Sequence, residues 1–435
     1  MVRKSTRRVR GRARSSTPVH PLTAVKQSST AVALSESKRQ RNKQGHFRRQ
    51  RRQLAFAAPR AKRSEWAIIA GDTQRIVLGD GKYVEERSSP SSLFASPIDP
   101  VFPSFQHSEV STLDSTGATI HVIHDIAPQI ILSKQGTTFY PHCSPDLANW
   151  RVPRQVSPDV RQTNITFART STLTAARRLY INSPHFIKQS PHSLATTSIA
   201  VLSFASPKRP GGGFLHGDDE QEATIARSTS LITSLRSDQA KEFYRTHRKF
   251  LNADGAGLHD HSMVYSPGVV AFRRDDDDNP EVDQAPSRSG STIRPYLINV
   301  LSSVPVNAAA IRQNYLITPS DAHIFEDGIR DKMRDRMARA LRIFGIRGDR
   351  ALVLGAFGCG SSQNHVGMVA DLWAELLVCG YREVKEDGKE EIQPAKFKGV
   401  FEEIVFAVPG KLYKPFKKAF EMKVFEMELT KAASE

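Results

Sequence analysis

An unbroken apolar run, Ile199-Ala200-Val201-Leu202, leads to three consecutive glycines, Gly211-Gly212-Gly213, and no other feature of the chain constrains its fold as strongly. The run reads as a strand. The triplet removes every Cβ where the backbone must turn, so its N–H groups can approach an anionic ligand such as a diphosphate. Beyond it, Ile225, Leu231, Ile232 and Leu235 recur at roughly helical spacing and predict a helix over 222–235. Gln221-Glu222 then stands at or just before that helix's N-terminus, where a carboxylate faces the same ligand.

The same punctuation recurs at Val353-Leu354-Gly355-Ala356-Phe357-Gly358-Cys359-Gly360. Short β-like runs are predicted at 119–123, 198–204, 264–265, 269–272, 296–301, 351–354 and 399–407. Helical patterns lie between several of them. Residues 322–344 place Ile329, Met333, Met337, Ala340, Leu341 and Phe344 on one stripe, and a second helix runs from about Val366 to Cys379, ended by Gly380. Helices alternating with buried strands mean an α/β sandwich whose sheet is covered on both faces. Ligands of such sheets bind beyond the carboxyl ends of the strands, and both glycine turns follow strands in that way. One anionic ligand between the two loops is the expectation.

Charge divides the chain. Residues 1–63 hold 19 Lys or Arg against one acid, Glu36, while the whole chain carries +17, so the remainder is close to neutral. The tail over 1–60 has few large apolar residues to offset its ordering entropy and is expected to be disordered when free. Arg7-Arg8-Val9-Arg10, Lys38-Arg39-Gln40-Arg41 and Arg48-Arg49-Gln50-Arg51-Arg52 suit nucleic acid, another phosphate-rich polymer or a nuclear import receptor. A solvated tail with no dedicated partner fits the same composition. The first 35 residues are Arg- and Ser-rich without an acid, as in a mitochondrial transit peptide, but the basic clusters continue past its usual length. Nucleus or cytoplasm is the expected location. Cys143, Cys359 and Cys379 show no close pairing, which argues against a disulfide scaffold or a cysteine-only zinc site. No run approaches the length of a membrane span, so no membrane partner is expected. Pro- and Ser-rich sequence predicts a surface insertion near 88–115, separating a helical start from the body.

These residues resemble a known family, the microbial-type poly(ADP-ribose) glycohydrolases, which are macrodomain relatives. Their signature is a glycine triplet followed at a short interval by Gln-Glu-Glu. Counting seven intervening residues, Phe214 to Glu220, aligns Gln221-Glu222-Ala223 with it and leaves alanine at the family's second, catalytic glutamate. Counting six aligns Glu220-Gln221-Glu222, which keeps a carboxylate last. Both registers stand. Further segments match in family order: 60–84 as opening helix and hairpin, Gly136 to Pro141, Thr172 to Leu179, Tyr265-Ser266-Pro267 with Val269 to Arg273, and the second glycine loop.

The resemblance implies a macrodomain-like three-layer α/β sandwich, with a mixed sheet between helices, over 61–430. It implies a pocket for ADP-ribose or poly(ADP-ribose), contacted by Ser206, Gly211, Gly212, Gly213, Phe214 and Gln221 from the first loop. From the second loop come Gly355, Phe357, Gly358, Cys359 and Gly360. It implies hydrolysis of ADP-ribosyl O-glycosidic linkages with Glu222 as general acid/base and no metal or cofactor, or an inactive reader if Ala223 occupies the catalytic place. In such chemistry a carboxyl protonates the leaving oxygen as oxocarbenium character develops at the anomeric carbon, then activates water. Two departures stand out. The family usually has asparagine at the position of Ser203, and an aromatic or apolar residue at Ser361-Ser362. Phe357 or Phe214 is a substitute for the aromatic wall, although packed core is the default for each.

His259-Asp260-His261 lacks the spacing of a known zinc site and reads as a polar loop before the next strand. Asp275 to Asp278 lacks the glycine and terminal glutamate of a calcium loop and reads as solvated surface.

Overall fold

Helix α1 (Arg60–Leu78) is followed by an antiparallel sheet of β1 (Lys82–Ser88), β2 (Gln106–Asp114) and β3 (Gly117–Asp125), in the order β1-β3-β2. Next come α2 (Ala127–Gly136), β4 (Thr138–Tyr140), a single turn α3 (Pro145–Ala148), β5 (Asn164–Ala168), α4 (Thr172–Asn182) and the hairpin β6 (Ile187–Ser190) and β7 (Ser193–Thr197). Strand β8 (Ile199–Phe204) leads through the glycine loop to α5 (Gln221–Ser228), α6 (Leu231–Leu235) and α7 (Asp238–Leu251). Two long strands, β9 (Met263–Arg273) and β10 (Thr292–Ser303), precede α8 (Ala308–Asn314) and α9 (Ala322–Arg347). Then follow β11 (Ala351–Leu354), α10 (Val366–Ala374) with a π-helical turn over Glu375–Cys379, the hairpin β12 (Tyr381–Val384) and β13 (Glu390–Gln393), β14 (Glu403–Ala407) and α11 (Tyr413–Ser434).

This computed structural model describes residues 60–88, 106–114, 117–151, 162–190, 193–251, 257–275, 290–315, 317–384 and 390–434. All of them belong to the second of two units, Pro59–Glu435. The basic tail, most of the expected surface insertion and the acidic run beyond Asp275 lie outside the described residues. Within the insertion's span, Gln106–Asp114 is strand rather than loop.

The main sheet has seven strands in the order β4-β9-β10-β8-β11-β14-β5. Strands β10, β8, β11, β14 and β5 run parallel to one another, while β9 and β4 add antiparallel pairs at one side. Side chains alternate between faces, so each apolar run divides between two cores. Ile199 and Val201 of β8 join one cluster with Ile225 of α5, Leu231 of α6 and Phe243 of α7. Ala200 and Leu202 join the other, with Met333 and Met337 of α9, Trp373 of α10 and Phe416 of α11. Strands β11 and β14 divide in the same way. The sheet therefore lies between two helical layers, which is the expected mixed α/β sandwich. Among the described residues no helix is long and apolar enough to cross a membrane.

Two expected elements differ in detail. The helix expected over 222–235 breaks at Thr229-Ser230, because Thr229 bridges to Ala271 and the Ser230 N–H donates to Val270 O at 2.8 Å. The sheet edge captures backbone that would otherwise have continued the helix. Conversely, the runs at 264–265 and 269–272 belong to one strand. Pro267-Gly268 is accommodated within it at a register irregularity, with Gly268 at φ +56° and its N–H donated to Asn299 Oδ1 at 2.8 Å.

Candidate functional site

Strands β8 and β11 are parallel neighbours, so the loops after Phe204 and after Leu354 leave the sheet side by side. They meet through Phe204, whose ring lies 5.2 Å from that of Phe357. Gly355 is required at this meeting, since a Cβ there would stand 2.8 Å from Ala407 O. Gly358, at φ +70°, leaves room for Asn364 Nδ2 and Pro305, and Asn364 donates to Gly358 O and Val306 O. Trp373 donates to Gly355 O at 3.0 Å. Gly360 faces open space.

The first loop is tied to the helical layer around it. Gly211 and Gly212 take φ +70° and +56°. Gly213 has no room for a side chain, because an added Cβ would fall on the Asp218 carboxylate. Asp218 forms a close ion pair with Arg63 of α1, and Arg227 of α5 donates to Asp218 O and stacks over Trp66. Of the triplet's N–H groups, that of Gly212 closes a turn onto Arg209 O and that of Gly211 is directed to Glu222.

Gln221 begins α5 and its amide clamps the end of β8. Its Oε1 accepts from Phe204 N at 2.8 Å, and its Nε2 donates to Leu202 O at 2.8 Å and to Thr172 Oγ1 at 3.0 Å. Glu222 turns the other way, beneath the loop, with only 2% of its surface exposed. Its Oε2 accepts from Ser206 N at 2.7 Å. Burial pushes its pKa up to about 8, Glu220 adds to the rise, and the N–H groups of Ser206 and Gly211 and the Tyr244 hydroxyl pull it down. Tyr244 of α7 is itself raised well above its ordinary value, first by burial and then by the neighbouring Glu222 charge. Glu222 Oε1 has no hydrogen-bond partner of good geometry. A carboxyl that keeps its proton near neutrality and has one oxygen uncommitted is able to donate that proton.

The residues singled out in sequence thus fall into distinct groups. Ser206, Gly211, Gly212, Gly213, Gln221 and Glu222 converge on one loop, and Gly355, Gly358, Cys359 and Gly360 form the neighbouring turn. Phe214 and Phe357 are core side chains, 2% and 0% exposed, as their default predicts, so neither presents a free ring face. Phe204, half-buried between the loops, was not singled out; its position at the end of the run entering the glycine loop was the available signal. Cys359 is half-buried, and burial raises its thiol to about 12, the opposite direction to an activated thiolate. Ser203 is fully buried with an unpartnered hydroxyl, and Ser361 is exposed. Ala223 is fully buried against the core.

This arrangement, two glycine turns at adjoining strand ends with a buried acid beneath one of them, is set on a fold found in solved structures. Residues 113–274 match the family model for the microbial-type PARG catalytic domain. That span includes the first loop and Glu222 but ends before the second. The chain is 27% identical to the poly(ADP-ribose) glycohydrolase (PARG) of Thermomonospora curvata, with 83% of this chain and 99% of that one covered and a TM-score of 0.56. The same enzyme bound to the inhibitor ADP-HPD gives 26% identity over 83% and 99%, with a TM-score of 0.54. PARG from Deinococcus radiodurans in complex with ADP-ribose is 26% identical over 69% and 98%, with a TM-score of 0.49. No curated protein matches the chain. The resemblance to microbial-type PARG read from the sequence therefore holds, as does the PARG-like fold.

His259-Asp260-His261 is a loop ahead of β9, but all three side chains are buried rather than solvated. Asp260 accepts from Ser262, His247 of α7 lies 3.5 Å from Asp260, and Arg336 of α9 donates to Leu258 O and His259 O. Among the described residues no group of His, Cys, Asp or Glu is arranged to hold a metal ion. Asp275 is also buried, and 276–278 lie outside the described residues.

Proposed function

We propose that this chain binds ADP-ribose between its two glycine turns and hydrolyses ADP-ribosyl O-glycosidic linkages of poly(ADP-ribose), with Glu222 as general acid and then base. The observation that carries the reading is the proton-holding Glu222 carboxyl, buried beneath a glycine loop at the carboxyl end of β8. The family match over this segment and the inhibitor-bound PARG of the same fold support it. In the first step the bond between the anomeric carbon and the leaving oxygen breaks, and the Glu222 proton passes to that oxygen. The carboxylate then takes a proton from water as its oxygen bonds to the anomeric carbon, which restores the acid. The adjoining N–H groups hold Glu222 in place between the two steps.

A second reading has its own observation. Ala223 is a buried methyl next to Glu222 in chain and, in one register, occupies the place of the family's catalytic glutamate. An alanine there transfers no proton, and the chain would be a reader of ADP-ribose or its polymer. Calorimetric titration of ADP-ribose, followed by incubation with poly(ADP-ribose) and detection of released ADP-ribose, separates the two. Binding with release that Glu222→Gln slows by on the order of 10² to 10⁴ supports the hydrolase. Binding without release makes the chain a reader, and absence of binding removes both readings. Under either reading, the tail over 1–60 is proposed to add avidity for nucleic acid in nucleus or cytoplasm.

A further inference from the structure

A cavity of about 570 Å³ opens between α7 and the segment that precedes the glycine triplet. Lys208 and Arg209 line it from that segment, Arg236 from the turn after α6, and Lys241, Arg245 and Arg248 from α7. Positions 241, 245 and 248 are four and three apart, so a single helix face presents all three. The six basic residues are exposed, and no carboxylate lines the cavity. Lys241 pairs with Asp238 and Arg245 with Glu242. Lys208, Arg209, Arg236 and Arg248 have no acidic partner among the described residues. Clefts lined by one sign of charge concentrate the opposite ion.

The cavity shares structure with the candidate site. Tyr244, whose hydroxyl stands against Glu222, forms part of its wall, and Pro210 joins its lining directly to Gly211. Its size falls in the roughly 300–1,000 Å³ range of small-molecule sites, well beyond a single inorganic ion. Four of the six cations are arginines, whose planar forks match phosphate oxygens in pairs.

We infer that this cavity is a pyrophosphate site separate from the glycine loop, and that it takes the diphosphate of a neighbouring unit when a polymer of ADP-ribose is bound. The inference about the occupant rests on the functional reading above. Nucleic acid fits less well, because single-strand binders track an evenly spaced backbone along a groove lined with stacking aromatics. Here the cations line one open cleft from two sides, which suits two phosphates joined directly.

Titration calorimetry on the full chain and on an Arg236→Gln/Arg248→Gln double variant tests both parts. The probes are inorganic pyrophosphate, ADP-ribose, a short ADP-ribose oligomer and a single-stranded oligonucleotide of equal charge, across a salt series. The variant should bind pyrophosphate and the oligomer on the order of tenfold more weakly, and its log–log salt slope for the oligomer should fall by about 1.4, near 0.7 per cation removed. Affinity for the ADP-ribose monomer should fall less than affinity for the oligomer. Pyrophosphate binding unchanged in the variant overturns the site. An oligomer loss no larger than the monomer's, or an equal loss for the oligonucleotide, overturns the occupant. If the wild-type chain binds pyrophosphate but not ADP-ribose, the functional reading fails while the pyrophosphate comparison still decides the site.

Discussion

Gln221 and Glu222 are adjacent in sequence yet do unlike work, and the difference lies in which backbone groups each one meets. The Gln221 amide satisfies a donor and an acceptor at the end of β8, so it holds the loop to the strand. Replacing it with alanine strands Phe204 N–H and Leu202 C=O, at a cost of about 1–3 kcal/mol for a buried group left unpaired. Gln221→Ala should therefore lower the denaturation midpoint and weaken ADP-ribose binding, whereas Glu222→Gln should spare binding and remove release. Equal effects of both variants on binding and release would show that the two residues share one role. The residue types and their neighbourhood were legible in the sequence. What was not legible is that Glu222 lies beneath the loop rather than open to it, because Tyr244, which approaches the same carboxyl, arrives from a helix well downstream.

At the scale of elements, period carried most of the reading. The stripe over 322–344 became α9, and the apolar runs at 199–202 and 351–354 became parallel neighbours in the sheet. The failures are tertiary: β9 captures Thr229-Ser230, and the basic cavity gathers residues from two segments whose charges look like ordinary solvated surface when read singly. Helix α9 also hides a charge in its buried stripe. Arg336 is fully buried and donates to Val304 O at 2.9 Å, Leu258 O at 2.8 Å and His259 O at 3.1 Å, so it fixes the loop ahead of β9. Arg336→Ala leaves those three carbonyls without their donor, and a buried polar group left unpaired costs about 1–3 kcal/mol. Chemical denaturation should show a loss of that order. An Arg336→Met variant as stable as the parent would instead mean that packing, not the three bonds, is what α9 contributes there.

For the whole molecule, buried carboxyls and buried histidines oppose one another in their response to pH. Glu222 is raised to about 8 and Asp349 to about 7, both chiefly by burial. His247 and His259 are lowered to about 4 and about 3, and His261 is lowered further, again chiefly by burial, with Arg336 acting in the same direction and Asp260 opposing it at His247. Once unfolded, the carboxyls titrate near pH 4 and the histidines near pH 6.5. Between about pH 6.5 and pH 8 the folded chain therefore holds more protons than the unfolded one, through Glu222 and Asp349, and stability falls as pH rises. Below about pH 6.5 the unfolded chain gains protons on three histidines that stay neutral when folded, which outweighs the two carboxyls, and stability falls as pH drops. Maximum stability should lie near pH 6.5, with an acid limb that steepens below about pH 4.5, where the carboxyls of the unfolded chain also take up protons. Urea denaturation midpoints measured from pH 4 to pH 8.5 test this directly. Glu222→Gln should flatten the alkaline limb, steepen the acid limb and move the maximum to higher pH, because a glutamine holds no proton in the folded chain to offset those the unfolded histidines take up. A stability that rises steadily from pH 5 to pH 8 would mean that the buried carboxyls are charged in the folded chain, and Glu222 would then have no proton to give at neutral pH.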